Sequence, residues 1–379
     1  MVNKGNVNSL GEGKCIGCGM CSVVCPKKII EIKPNNYGFF NPCIEEKECT
    51  KCGLCSNICF KFKTSNDTNL ESPFKNKKVI SAVVTDESEL SKVSSGGVAN
   101  ELIKHFFIKG YDVCGVSFNS DYTMCKHIIA NSLEDIGKIR NSKYIQSYTV
   151  DAFKSIDKTK KNLIIGTPCQ IYAWRKYITG KDFEKNFILV DFFCRGVPSN
   201  FLWKAYISYI NRIYDVSEFN EVNFRDKSLG WHKFSLKIIG NQRTKEITHD
   251  VYTDLFYSFF LKNKCFCLSC YECTLRKEEV YSDLRLGDFW GEKYYQNDKG
   301  VSLVVVMTEI GEQAWNEVSK CFEVEECNSE EIDKSQRFNK YILPQDYFEI
   351  LDCFSRYENL ENIHTKYGLD QQGFYKENK

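Results

Sequence analysis

Residues 15 to 59 carry one cysteine pattern twice: Cys15, Cys18, Cys21 and Cys25, then Cys49, Cys52, Cys55 and Cys59. Each set reads C-x2-C-x2-C-x3-C. Three thiolates on so tight a loop can wrap three corners of an iron-sulfur cube, while the fourth, carried past the loop, points at the other cube. The spacing therefore gives one [4Fe-4S] cluster to Cys15, Cys18, Cys21 and Cys59, and the other to Cys49, Cys52, Cys55 and Cys25. Zinc sites also use C-x2-C pairs, but they need no third cysteine within each loop. Gly17, Gly19 and Gly53 let backbone amides turn close around sulfide. Pro26 follows the first set, Phe60 takes its place in the second, and Cys43 reads as a structural spare.

A second group lies far downstream, in "FCLSCYECTL". Cys270 and Cys273 form a C-x2-C, with Cys265 and Cys267 just before it. Two further thiols follow strand-like runs: Cys169 in "NLIIGTPCQ" and Cys194 in "FILVDFFCRGVPS". Loops at the carboxyl edge of an α/β sheet crowd together, so these two can meet there. With Cys270 and Cys273 they would make four ligands for a third cluster. A zinc site or unligated buried thiols remain open on spacing alone, because a C-x2-C without a third close cysteine does not separate the metals.

The chain that must position these thiols has 379 residues, 42% hydrophobic and 27% charged, which suits two or three packed domains. Lys and Arg total 51 against 50 Asp and Glu. That balance supplies no global field to draw in nucleic acid or an anionic membrane. "MVNKGNVNSLGEGK" has no apolar segment of signal-peptide type, and "NFILVDFFC" and "VSLVVVM" are strand-length, so the expectation is a cytoplasmic protein with no membrane span. In that compartment 20 cysteines are expected to bind metal rather than to pair, and with 5 His the ligands are thiolates.

The expected fold is a small ferredoxin-like 2[4Fe-4S] module, residues 1–62, followed by a larger mixed-sheet α/β body. A polar linker is expected over 63–78, a flavin and cluster domain over 79–300, and a C-terminal α/β extension packed on the body over 301–379. Strand-like runs "VISAVV", "YDVCGVSF", "NLIIG", "NFILVDFF", "LRLGDF" and "SLVVVM" alternate with helix-like stretches at 98–109, 170–178, 199–213, 252–262 and 311–320. Such alternation argues an α/β body. After Gly291 nothing signals chemistry, and Cys321, Cys327 and Cys353 read as structural.

Other residues offer cofactor chemistry. "SSGGVANEL" has a hydroxyl-bearing turn, Gly96 and Gly97, and a helix N-terminus, which suits a pyrophosphate or an ordinary capped helix equally. Lys143 and Gln146 in "NSKYIQS" can meet phosphate or a ring edge, with Arg140 just upstream, although such residues are commonly solvated. Arg225 can pair an anionic group, and Trp231 can form an aromatic wall or pack in a core. Asp288 in "LRLGDFWG" can position a cofactor or a proton-carrying residue, or cap a turn.

Seven motifs in order, "SSGGVANELIKHFFIKGYDVCGVSF", "IRNSKYIQS", "GTPCQIYAWRK", "FCRGVPS", "NFRDKSLGWHKFSLKI", "SCYEC" and "LGDFWG", resemble the coenzyme F420 hydrogenase/dehydrogenase beta-subunit family. The resemblance covers about Val79 to Gly291, after a ferredoxin module of the kind many members carry. It implies an iron-sulfur flavoprotein that holds FAD beside a [4Fe-4S] cluster and passes electrons between reduced coenzyme F420 and one-electron carriers. It gives the third cluster to Cys169, Cys194, Cys270 and Cys273, and leaves open whether Cys265 or Cys267 substitutes as a ligand or neither binds. It tips Ser95, Gly96 and Gly97 to the flavin and ranks Lys143 above Arg140; with Gln146 and Trp231 these are the expected flavin contacts, and Lys143, Arg225 and Asp288 are the expected catalytic residues.

The implied path runs from a hydride donor through FAD and three clusters to a redox partner protein, a ferredoxin or a hydrogenase or reductase subunit, or in reverse. A second reading keeps the cofactors but makes the protein a ferredoxin-dependent reductase of an organic substrate, for example in polysaccharide or tetrapyrrole-type metabolism; 27 Phe and 21 Tyr suit an organic pocket and a core alike. A third reading, a scaffold held by structural zinc, is opposed by the triadic cysteine loops.

Overall fold

Residues 162–165 and 187–190 alternate strictly in the side to which they point. Leu163, Ile188 and Val190 enter one core, while Ile164, Phe187 and Leu189 enter another on the opposite face. These strands are apolar throughout because both faces of their sheet are covered, as parallel strands require. The computed structural model describes residues 5–11, 13–63, 72–336 and 341–368. Half of the expected linker, residues 64–71, lies outside them.

The strands are β1 (Ile30–Pro34), β2 (Phe40–Ile44), β3 (Lys78–Val84), β4 (Asp112–Phe118), β5 (Cys125–Ala130), β6 (Ser147–Tyr148), β7 (Asn162–Ile165), β8 (Phe187–Phe192), β9 (Phe219–Asp226), β10 (Ser235–Gly240), β11 (Lys245–Asp250), β12 (Leu284–Asp288), β13 (Ser302–Val306) and β14 (Phe322–Cys327). Nine of them make one mixed sheet in the order β14-β3-β13-β12-β8-β7-β4-β5-β6. The expected mixed α/β sheet is present, and all six expected strand runs lie in it. β4, β7, β8 and β12 are parallel neighbours, so their carboxyl ends share one edge. β13 runs antiparallel between β12 and β3, which returns β3 to the common direction.

The expected boundary at residue 300 does not divide two bodies. β13 is an inner strand of the sheet and β14 pairs with β3, so residues beyond 300 complete the body instead of extending it. The helices Val98–Ile108 and Glu309–Val318 lie on one face, with Leu102, Phe106 and Trp315 in its core. The helix Pro168–Ile178 covers the other with Ile171 and Trp174. β9, β10 and β11 form a separate antiparallel sheet over an aromatic core that includes Trp203, Phe224 and Phe256.

Two buried ion pairs fix the β8 and β12 alignment. Arg285 on β12 grips Asp191 on β8 through two bonds of 2.9 and 2.6 Å, with both side chains almost fully enclosed. Arg175 holds Asp283 at 2.7 Å, and Asp283 also accepts from the Leu189 amide at 2.8 Å. A geometry this well satisfied is what makes a buried charge pair tolerable.

The N-terminal module is a β1–β2 hairpin with two short helices, Met20–Val24 and Leu54–Ile58, each entered through a left-handed glycine, Gly19 at φ 77° and Gly53 at φ 75°. An L side chain resists that conformation, so glycine sits where the cysteine loop turns into helix. The module is docked firmly on the body. Met20 and Ile58 join the core around Trp174. Gln146 accepts from the Phe40 amide at 2.8 Å and donates to the Ile16 carbonyl at 2.9 Å. Thr149 donates to the Cys18 carbonyl at 2.8 Å, Asn200 to the Gly38 carbonyl at 2.9 Å, and Lys63 pairs with Glu279.

Replacing Gln146 with Leu would leave a buried amide and a buried carbonyl of the module without their partner, at about 1–3 kcal/mol each. The expected outcome is a lower melting temperature with faster hydrogen exchange at the Phe40 amide. Unchanged exchange there would show that other contacts carry the docking.

Candidate functional site

The cysteines of the N-terminal module fall into two spatial groups. One cavity is lined by Cys25, Cys49, Cys52 and Cys55, the other by Cys15, Cys18, Cys21 and Cys59. Among the described residues no three His, Cys, Asp or Glu side chains converge as a site for one metal ion. Four thiols lining each cavity are the ligand number and type that a [4Fe-4S] cube takes. Burial pushes the Cys15 and Cys18 thiols up to about 12, so thiolates there call for positive charge brought by the bound group.

The third group assembles from three segments. Cys169 stands in the first turn of the helix Pro168–Ile178, directly after β7. Pro168 opens that helix, and Gln170 turns back to accept the Thr167 amide at 2.8 Å, which fixes the turn. The Thr167 hydroxyl lies 3.0 Å from the Cys169 sulfur. Cys194 follows β8, the parallel neighbour of β7. The next residues pair with the downstream segment: the Cys267 amide donates to the Val197 carbonyl and the Ser199 amide to the Cys265 carbonyl, each at 2.9 Å. This pairing sets Cys194 beside the short helix Leu268–Tyr271, which carries Cys270 and leads to Cys273.

Electrostatics records the same neighbourhood. Burial raises the Cys169 thiol most, with Cys194, Cys18 and Cys273 adding to the rise. Burial likewise raises Cys194 to about 12, reinforced by Cys270 and Cys273. Cys18 belongs to the middle cavity, so the third group adjoins it. Cys21 in turn feels Cys55 of the outermost group. The three cysteine groups thus lie in succession, from the sheet edge to Cys52, which is exposed. Cys265 is buried, its backbone bonded to Ser199. Cys267 donates its thiol to the Cys15 carbonyl at 3.1 Å and is hydrogen-bonded to the Cys270 thiol, so it stands between two groups.

The other candidates meet at the same carboxyl edge in part. Arg225 is buried and pairs with Asp288 at 2.8 Å; Trp231 donates to the same carboxylate at 3.3 Å. Trp231 stacks on Trp290 with ring centroids 4.5 Å apart, and the Arg225 guanidinium lies 4.1 Å from the Phe234 ring. Its Nε has no hydrogen-bond partner among the described residues. Lys227 ties this cluster to the serine-glycine turn, donating to the Ser95 carbonyl at 3.1 Å and the Leu90 carbonyl at 2.7 Å. Burial, and then Arg225, lower the Lys227 ammonium to about 8.

Gly97, at φ 94°, leads into the helix Val98–Ile108 with no side-chain cap, which leaves first-turn amides open for an anion. Gly96 serves the sheet: a Cβ there would lie 2.0 Å from the Ala82 carbonyl oxygen and 2.5 Å from the Ser302 amide. The Ser95 hydroxyl is bonded to the Val301 carbonyl at 2.8 Å. Lys143 donates to the carbonyls of Lys138 and Arg140 at the end of the helix Leu133–Ile139, and Arg140 lies 3.5 Å from Glu89. Gln146 is spent on the N-terminal module. An open helix N-terminus and a buried guanidinium fit the phosphates of an FAD, whereas Trp231 is fully buried in a core with Phe289 and Leu303, and Gly96, Lys143 and Gln146 have other partners. Tyr144, which bonds Arg225 at 3.2 Å, Lys227 and Trp290 were missed as site residues, although all three lie inside the motifs that drew attention to their neighbours.

Residues 159–331 match the family model for the C terminus of the coenzyme F420 hydrogenase/dehydrogenase beta subunit. Residues 14–61 match the 4Fe-4S dicluster domain. The first match runs past Gly291 through β13 and β14. No curated protein matches the chain. Among solved structures, a chain of the xenon-derivatised F420-reducing [NiFe] hydrogenase complex from Methanosarcina barkeri aligns at 18% identity, covering 77% of this chain and 95% of that one, with a TM-score of 0.45. Residues 159–331 are thus similar to the C terminus of the coenzyme F420 hydrogenase/dehydrogenase beta subunit and follow a 4Fe-4S dicluster domain at residues 14–61, the pairing of an iron-sulfur oxidoreductase.

Proposed function

We propose that the protein carries electrons between a hydride carrier, coenzyme F420 or a close analogue, and a one-electron partner protein. FAD bound at the carboxyl edge of the sheet, together with three [4Fe-4S] clusters, would supply the conversion between paired and single electrons. The observation that carries this reading is the succession of cysteine groups. Cys169, Cys194, Cys270 and Cys273 would hold the cluster nearest the sheet, Cys15, Cys18, Cys21 and Cys59 the middle one, and Cys25, Cys49, Cys52 and Cys55 the outermost.

The chain's own work is positional. The open amides after Gly97 would receive the pyrophosphate of FAD. Arg225, held by Asp288 and Tyr144, keeps a buried positive charge beside the Trp231 and Trp290 indoles, where it can orient an electron-rich ring. Asp288 fixes both Arg225 and Trp231, so it acts as a positioning residue. Burial of the Cys169, Cys194 and Cys270 thiols would keep water from the cluster nearest the sheet, and the exposed face at Cys52 and Leu54, 46% exposed, is where the partner would dock. A reducing cytoplasm would keep these thiols available to iron.

Protein purified without oxygen should contain about twelve iron atoms per chain, four for each cluster. Cys169→Ala should lower that to about eight while leaving the N-terminal pair assembled. A parent protein with about eight would remove the third cluster from this account.

The flavin site is tested at Ala99, exposed in the first turn of the helix after Gly97. Ala99→Asp should leave the melting temperature unchanged or raised, because a carboxylate suits a helix N-terminus. It should weaken FAD binding at least tenfold by repelling the pyrophosphate, with iron content unaffected. FAD titration giving the parental affinity would place the cofactor elsewhere.

A further inference from the structure

Arg276 occupies a position that neither the motifs nor the family description assigns. It closes the short 3-10 turn Thr274–Arg276, three residues after Cys273, and its side chain is 8% exposed. One terminal nitrogen donates to the Cys270 carbonyl at 2.7 Å and to the Arg195 carbonyl, next to Cys194, at 3.1 Å. The guanidinium lies 3.6 Å from the centre of the Tyr341 ring. Its own carbonyl accepts from Arg285 at 3.4 Å, and Arg285 is anchored to Asp191 on β8. A single guanidinium therefore touches the backbone at or beside two members of the third cysteine group and follows a third in the chain. Its position is set by the same strand from which Cys194 emerges.

We propose that Arg276 is the buried cation that clamps the third cysteine group and raises the reduction potential of the cluster bound there. The inference rests on the reading that Cys169, Cys194, Cys270 and Cys273 hold a cluster. Reduction adds one electron, and so one negative charge, to a group that four thiolates already make anionic. A fixed positive charge in a poorly polarisable surrounding stabilises the reduced form more than the oxidised one. Glutamine, neutral and shorter, keeps an amide donor at this position but loses that preference. The N-terminal clusters, held by other segments, should keep their potentials.

The test uses the full chain, purified without oxygen, with iron analysis and a dithionite titration followed by electron paramagnetic resonance. The third cluster's signal is the one that Cys169→Ala removes. Arg276→Gln should keep the parental iron content and lower the equilibrium constant for reducing that cluster at least tenfold, about 59 mV for one electron. The signals of the N-terminal clusters should not move. Arg276→Lys, which keeps the charge, should stay within about threefold of the parent, well under the tenfold step that corresponds to 59 mV. Full iron with an unmoved potential in Arg276→Gln overturns the proposal. If that variant fails to assemble the cluster, Arg276→Lys decides: a parental potential supports the proposal, and a potential displaced tenfold or failure to assemble overturns it, since packing alone would then account for the residue. A parent protein with about eight iron atoms fails the underlying reading instead, before any variant is compared.

Discussion

The parallel pairing of β7 with β8 is the constraint on which the rest depends. Ile165 stands opposite Val190, so the two chains leave the sheet at the same edge, one into the helix that carries Cys169 and the other into the segment that carries Cys194. A one-residue slip would exchange Leu163 and Ile164 between the two cores, and each core would have to repack around side chains of another shape. Register is therefore held by the hydrophobic effect on two sides and by the Asp191–Arg285 and Asp283–Arg175 pairs at β12. The thiols inherit a position that packing has already fixed.

That position has an electrostatic consequence. Burial raises the Cys169 thiol well above its usual range, and Cys194 rises to about 12 for the same reason. Arg276 opposes the rise at Cys194, Cys270 and Cys273, but burial dominates at Cys194 and Cys273, and the Cys267 hydrogen bond dominates at Cys270. A bound cluster must displace these protons, so assembly, acidity and folding are coupled. The same burial isolates a cluster from water, which lets nearby fixed charges set its potential. Docking of the N-terminal module extends the arrangement, because Gln146 and Thr149 hold its cysteine loops by their backbone and leave the thiols to the cavities.

Much of this was legible in the sequence where chemistry and periodicity agree. The six apolar runs lie in the main sheet because strands covered on both faces need no polar alternation. The dicluster loops are readable because three thiols at two-residue spacing have few other uses, and Cys25 and Cys59 each line the cavity of the opposite loop. What stayed hidden depends on contacts between distant residues. β13 resembles any buried strand, and nothing in "SLVVVM" says that it enters between β12 and β3. β9 to β11 alternate too weakly to stand out. Gly96 reads as a phosphate glycine, yet the space it leaves is filled by the Ala82 carbonyl. Gln146 reads as a cofactor ligand, although two backbone groups of another module claim it.

The central claim is that the three cysteine groups act in series, with the middle one as an obligatory station. Rapid-freeze electron paramagnetic resonance on Cys21→Ala, mixed with reduced coenzyme F420, tests it most directly. The account predicts that the Cys169 cluster is reduced while the outermost cluster stays oxidised over the parental transfer time, although dithionite still reduces it. Reduction of the outermost cluster at the parental rate in that variant would contradict the serial arrangement.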